Sequence, residues 1–421
     1  MNRLEYFEEG VSPYHVVAVS KEMLKKAGFL ELSMDAKWTL ERGAGYYVSP
    51  YPSMLFAFRP GMESVRIATA HTDQPMLKLK PHPTMNKEGM LVANVESYGG
   101  MILHTWFDRP LHLAGRVVCK SENVFAPNEF LFDSEEAVAV IPSLAIHMDR
   151  EVNKKNELKC QVHLLPLMGI GTVQGEDVLL EYIAAKLEIA SEDILDYDLF
   201  FYNPQKPELV GLNKEMVVSP RLDNLTSCYS AIMGITETNY PCTCVAALFD
   251  HEEVGSRSKQ GADSMLFLNF MEKMMQEMNQ NGITQNLCRD TLIHNGFVLS
   301  LDVAHAFHPN YAAKSDPTTK TIMGNGIVIK TSGSQRYHSD SFCCASIKQL
   351  CEKYKIAHQQ QINHSDIAGG TTLGPIVASY LPIPGIDAGV GMLAMHASCE
   401  TAAIKDCEAL DHLVEAFYSE A

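Results

Sequence analysis

The chain has 421 residues, 46% of them hydrophobic, which is enough for a sizeable core and two domains. A formal net charge of -17 and a pI near 5.4 exclude nucleic acid and anionic membrane as partners, because both demand a basic face. An acidic ligand would be repelled at long range and would need a local cation.

The start, MNRLEYFEEGVSPYHVV, has no basic region, apolar stretch or small-residue cleavage site, and no run of about 18 apolar residues follows anywhere, so a cytoplasmic protein is expected. Beyond it, short apolar runs rich in β-branched residues end abruptly in polar ones. In chain order SVRIATAHTD delivers His71 and Asp73, EMVVSPRLDN delivers Asp223, CTCVAALFDHEE delivers Glu252 and Glu253, FVLSLDVAHAFH delivers Asp302, and GVGMLAMHAS delivers His396. Helical patterns lie between them, such as 264–278, stopped by Asn281 and Gly282. Strands alternating with helices predict an α/β fold with a mostly parallel sheet. From 76 to 211 the texture changes. LVANVESYGG and LHLAGRVVCK alternate apolar and polar residues, with turn signals at Gly99, Gly100 and Gly115, so 76–211 is expected to be a β-rich dimerisation domain inserted into a discontinuous α/β domain of 1–75 and 212–421.

Eleven scattered cysteines, an odd number that includes the pairs Cys242/Cys244 and Cys343/Cys344, read as buried reduced thiols and not as disulfides or a thiolate metal site. The methionines at 265, 271, 274, 275 and 278 read as flexible core packing, and His104, His112, His163 and His358 as structural or surface residues.

A single polar residue after a strand usually just begins a loop. Five such runs converging on the carboxyl edge of one sheet, where open α/β sheets bind ligands, are different, because carboxylates gathered in one cleft repel unless cations neutralise them. Two histidines with three or four carboxylates suit a pair of zinc ions, with manganese or cobalt as substitutes, and the absence of cysteine from the set argues against a purely structural zinc site.

The stretches AHTDQPMLKLKP, SPRLDNLTSC, DHEEVGS, LDVAHAFHPNY, GIVIKTSGSQRY, GGTTLGPI and LAMHAS occur in the order and approximate spacing of the aspartyl aminopeptidases. The whole chain resembles that family of co-catalytic dizinc exopeptidases. The resemblance implies His71 and Asp302 on one metal, Glu253 and His396 on the other, Asp223 bridging, Glu252 as general base, and Asp73 supporting the His71 side. It further places Lys330 in the pocket for the substrate's first side chain, with His305 and Tyr337 nearby, and matches His147 to a histidine lent to a neighbouring subunit's site. It implies removal of N-terminal Asp or Glu from peptides with a free N-terminus by a homo-oligomer, a tetrahedral dodecamer in family members. Two other readings carry different expectations: a dizinc aminopeptidase or amide deacylase of broader specificity, and a peptide-binding scaffold without turnover, against which the retention of Glu252 counts.

Overall fold

The computed structural model describes residues 1–154, 157–171, 178–236 and 240–420. They divide into two compact units, the first built from 1–73, 207–395 and 400–421, the second from 74–206 and 396–399.

The first unit is organised by the strand Cys242–Phe249. Every residue of it is buried, and successive side chains serve opposite cores: Cys242, Cys244, Ala246 and Leu248 join one apolar cluster, Val245, Ala247 and Phe249 the other. Period-two alternation is invisible in such a sequence because both faces are covered by helices, so the strand reads as one apolar run. It lies in a nine-stranded sheet whose central members, Cys242–Phe249, Met62–His71, Gly296–Leu301 and Gly385–Gly389, are mutually parallel. The helices Pro13–Lys26, Leu222–Thr236 and Ile404–Ser419 cover one face, Leu266–Gln280 the other. The last of these carries the predicted helical pattern two residues later than 264–278. Met271, Met274, Met275 and Met278 are buried along it, while Met265, just before it, is exposed.

One expectation about this unit is corrected. Only three of the five runs end on the carboxyl edge of the nine-stranded sheet: those carrying His71, the glutamate pair and Asp302. The strand Met216–Ser219, which leads to Asp223, belongs to a separate five-stranded sheet, where it pairs antiparallel with Glu400–Ala403, and Gly391–Leu393 of the GVGMLAMHAS run lies in that same sheet. Short strands with similar apolar content do not announce which sheet they join.

The second unit is a β-barrel. Met76–Lys87, Met90–Tyr98, Leu167–Ile170, Ala139–Val140 and Pro110–Cys119 follow one another antiparallel, and Ile194–Tyr202 pairs with both the first and the last, closing the ring. Leu77, Val95, Leu113, Leu199 and Phe201 are fully buried in it. Gly115 is not a turn. It stands mid-strand opposite Leu199, where a Cβ would meet the Asp198 carbonyl oxygen at 2.0 Å. Eight of the eleven cysteines are buried thiols, Cys160 and Cys399 are half-buried, and Cys288 is exposed. No helix among the described residues is long and apolar enough to cross a membrane.

Candidate metal centre

Beyond Phe249 the chain reverses sharply. His251 takes a left-handed backbone (φ 63°), Glu252–Val254 form a 3-10 turn, and Gly255 follows at φ 94°. Consecutive side chains on a 3-10 turn, with three residues per revolution, diverge by roughly 120°. The neighbouring glutamates can therefore serve different partners. Asp73, fully buried, clamps both: its Oδ1 accepts the Glu252 backbone N–H at 3.0 Å and its Oδ2 that of Glu253 at 3.1 Å.

His71 closes the adjacent strand. Its Nδ1 lies 3.0 Å from the Asp73 carbonyl oxygen, an acceptor that fixes the proton on Nδ1 and the lone pair on Nε2. That Nε2 stands 3.4 Å from Asp223 Oδ1 and 3.7 Å from Asp302 Oδ1. The ligand atoms of His71, Asp223 and Glu253 all lie within 4.8 Å of one another. Two donors about 2.1 Å from a tetrahedral ion are themselves roughly 3.4 Å apart, so the spacing and the nitrogen and oxygen donor set fit zinc. The scaffold around them is equally specific. Cys228 Sγ donates to the His71 carbonyl at 2.9 Å, and the Asp223 backbone N–H donates to the buried Glu400 carboxylate at 2.9 Å.

The electrostatics ask for a cation. Burial alone would lower the pKa of His71, yet the carboxylates of Asp223, Asp302 and Asp73 raise it well above its ordinary value, drawing a proton to the cluster when no metal is bound. Glu252 is pushed up to about 8, mainly by loss of solvent, with Asp302, Asp73 and Asp223 adding to the shift and His71 opposing it.

The remaining predicted residues fall in three places. Asp302 turns one oxygen toward His71 and the other toward Lys330, whose Nζ lies 3.3 Å from Oδ2, donates to the Val303 carbonyl at 2.8 Å, and sits 5.2 Å from the centre of the Tyr337 ring. Lys330 and Tyr337 are both buried. His305 is exposed on a short strand and lines a cavity of about 270 Å3 together with His308, Asp316, Gln361 and His364. His396 belongs to the second unit, with φ 67° and its Nδ1 2.9 Å from the Gly100 carbonyl. His147 lies in the second unit too, exposed.

Sequence reasoning misses Glu400 and Asp387. Nothing around Glu400 signals its role. Asp387 has a signal, a lone carboxylate between apolar residues in GIDAGVG, which only a paired charge makes tolerable inside a buried strand.

A family model described as "Aminopeptidase I zinc metalloprotease (M18)" matches residues 6–418. The chain is 39% identical over 412 residues to a probable M18 family aminopeptidase 2 of Clostridium novyi, covering 96% of this chain and 94% of that protein. It is 37% identical over 421 residues to the protein of the same description from Clostridium acetobutylicum, covering 97% and 95%. Among solved structures it is similar to a chain in a cryo-EM structure of the Ape4 and Nbr1 complex, with a TM-score of 0.92, 31% identity, and coverage of 99% of this chain and 84% of that one. A structure of an S. cerevisiae mApe1 dodecamer shares the fold, with a TM-score of 0.83 at 23% identity and coverage of 99% and 95%.

Proposed function

Since the chain belongs to the M18 family of zinc aminopeptidases, we propose that it removes the N-terminal residue of peptides with a preference for Asp and Glu, by a two-metal mechanism with Glu252 as general base. The observation that carries this reading is the cluster of His71, Asp223 and Glu253 with Glu252 beside it on the same turn.

Zinc, when bound, supplies Lewis acidity and brings the pKa of a water molecule down toward neutrality. His71 and Asp302 are assigned to one ion, Glu253 and His396 to the other, and Asp223 to both. Glu252 accepts the proton of the attacking water and passes it to the leaving amine as the peptide C–N bond breaks. Asp73 holds Glu252 in place through its main chain. The acidic preference rests on Lys330, a buried cation at the edge of the centre, with Tyr337 against it and His305 nearby. Short-range pairing with that cation in a partly desolvated cleft outweighs the screened repulsion of a chain with net charge -17. His147 completes a neighbouring subunit's site, so the working form is a homo-oligomer, and the dodecamer of the mApe1 structure is the assembly we assign. The many buried thiols suit a reducing cytoplasm.

One observation favours the broader-specificity reading. The Lys330 ammonium is already engaged by Asp302 and the Val303 carbonyl, which leaves it less free to meet a substrate carboxylate. Hydrolysis of substrates with N-terminal Asp, Glu, Leu and Ala by freshly purified protein, with its metal content measured alongside, separates the two. A kcat/KM for Leu equal to or above that for Asp overturns the acidic preference and leaves the aminopeptidase standing.

A further inference from the structure

We propose that Asp387 is a positioning residue of the metal centre, acting through Lys330 to hold Asp302 in its ligating orientation; this rests on the assignment of Asp302 to a metal. Asp387 is fully buried in the centre of the nine-stranded sheet and stands in register with Ser300 on one side and Lys330 on the other. Residues directly opposite on paired strands project from the same face, so Lys330 and Asp387 share one side of the sheet.

A buried lysine with one carboxylate neighbour would pull that carboxylate wholly to itself. Lys330 has two. Asp302 presents Oδ2 to the ammonium at 3.3 Å and Oδ1 to the His71 side, so the lysine sets which oxygen faces the cluster. Asp387 supplies the second carboxylate, directly opposite Lys330 on the paired strand and on the same face of the sheet.

Asp387 is itself fixed from several directions, through its carboxylate and its backbone. Ser300 Oγ donates to Oδ1 at 2.6 Å, the His338 backbone N–H donates to Oδ2, and the backbone N–H of Asp387 donates to Ser339 Oγ at 3.1 Å. Its Oδ2 also explains a glycine in GGTTLGPI. A Cβ on Gly374 would stand 2.5 Å from that oxygen, so the first turn of the helix Leu373–Tyr380 approaches the carboxylate as closely as only glycine permits. A carboxylate held by a neighbouring strand, the loop at His338 and the start of a helix is a rigid anchor for a charge relayed to Asp302.

The test is a metal-affinity cycle on the full-length protein. Zinc affinity is measured by competition with a chromophoric chelator for wild type, Asp387→Asn, Lys330→Met and the double variant. Asp387→Asn is expected to weaken zinc binding about tenfold, the scale of an outer-shell partner. In the Lys330→Met background the same change is expected to alter affinity by less than about twofold, because its route to Asp302 is gone. Equal losses in both backgrounds, or no loss in either, overturn the proposal. Should Asp387→Asn fail to fold, Ser300→Ala removes one hydrogen bond from Asp387 without altering any charge, and is held to the same comparison between backgrounds. A wild-type chain that binds no zinc overturns this inference and the proposed function together, whereas loss of acidic preference with the coupling intact overturns only the latter.

Discussion

Asp73 accepts the backbone N–H of Glu252 at 3.0 Å, so the residue we propose as general base is held through its main chain by a residue only two positions beyond His71. Asp73→Ala should therefore impair turnover while leaving both glutamates of the turn in the sequence. A loss of about ten- to a hundredfold in kcat is expected, with zinc content reduced far less than by loss of a ligand. Wild-type kcat in Asp73→Ala would show that the clamp has no catalytic part.

The two glutamates should fail differently. Glu252→Gln is expected to retain zinc and lose at least roughly a hundredfold in turnover, the usual scale for a general base. Glu253→Gln is expected to give up part of the bound zinc. Elemental analysis of both variants beside their steady-state kinetics is decisive, and identical metal content with identical activity would refute the division of roles.

Substrate choice is read from a ratio. Lys330→Met should cut kcat/KM for an N-terminal Asp substrate at least roughly tenfold more than for the matching Leu substrate, the scale of one charge-assisted hydrogen bond. Equal slowing of both substrates would leave Lys330 with its part in holding Asp302 and remove it from specificity.

The barrel offers a test of acid stability. Asp198 bridges two strands, with Lys78 Nζ at 2.9 Å from one oxygen and an Arg116 nitrogen at 2.8 Å from the other. Burial by itself would raise its pKa, but these two cations overcome that and hold it at about 2, against an ordinary 3.8. A depressed carboxylate contributes stability that is present above the unfolded pKa and fades as pH falls toward the folded one. Asp198→Asn should thus cost about 2 kcal/mol at pH 7, and the difference from wild type should shrink between roughly pH 4 and pH 2. Urea unfolding of both proteins across that range checks it; a gap that stays constant would mean the ion pairs contribute nothing.

Much of the candidate centre is legible in the amino-acid sequence. His71, Glu252, Glu253 and Asp302 betray themselves because an apolar strand has no reason to end in clustered charge unless something neutralises it. Asp223 obeys the same rule, yet the strand that leads to it, Met216–Ser219, lies in a different sheet from the one the rule suggests, since pairing partners far apart in the chain leave no local trace. Gly115 misleads for a related reason: the close approach of Asp198 that demands a glycine there comes from a strand much later in the chain. Asp387 and Glu400 escape notice because their work is done by burial and hydrogen bonding, which composition does not display. What periodicity reports is which faces are covered; what it omits is who covers them.

The separate origins of Asp223 and His71 have a thermodynamic consequence. Asp223 follows a strand of the five-stranded sheet and His71 ends a strand of the nine-stranded one, so an ion held by both, as we propose, would act as a removable clasp between two β-structures of the first unit. Because the unfolded chain cannot assemble that set, zinc at a thousand times its dissociation constant adds about 4 kcal/mol to the free energy of unfolding. Chelation should lower the melting temperature and open the chain to proteolysis, making the lifetime of the protein, as well as its activity, a function of zinc supply.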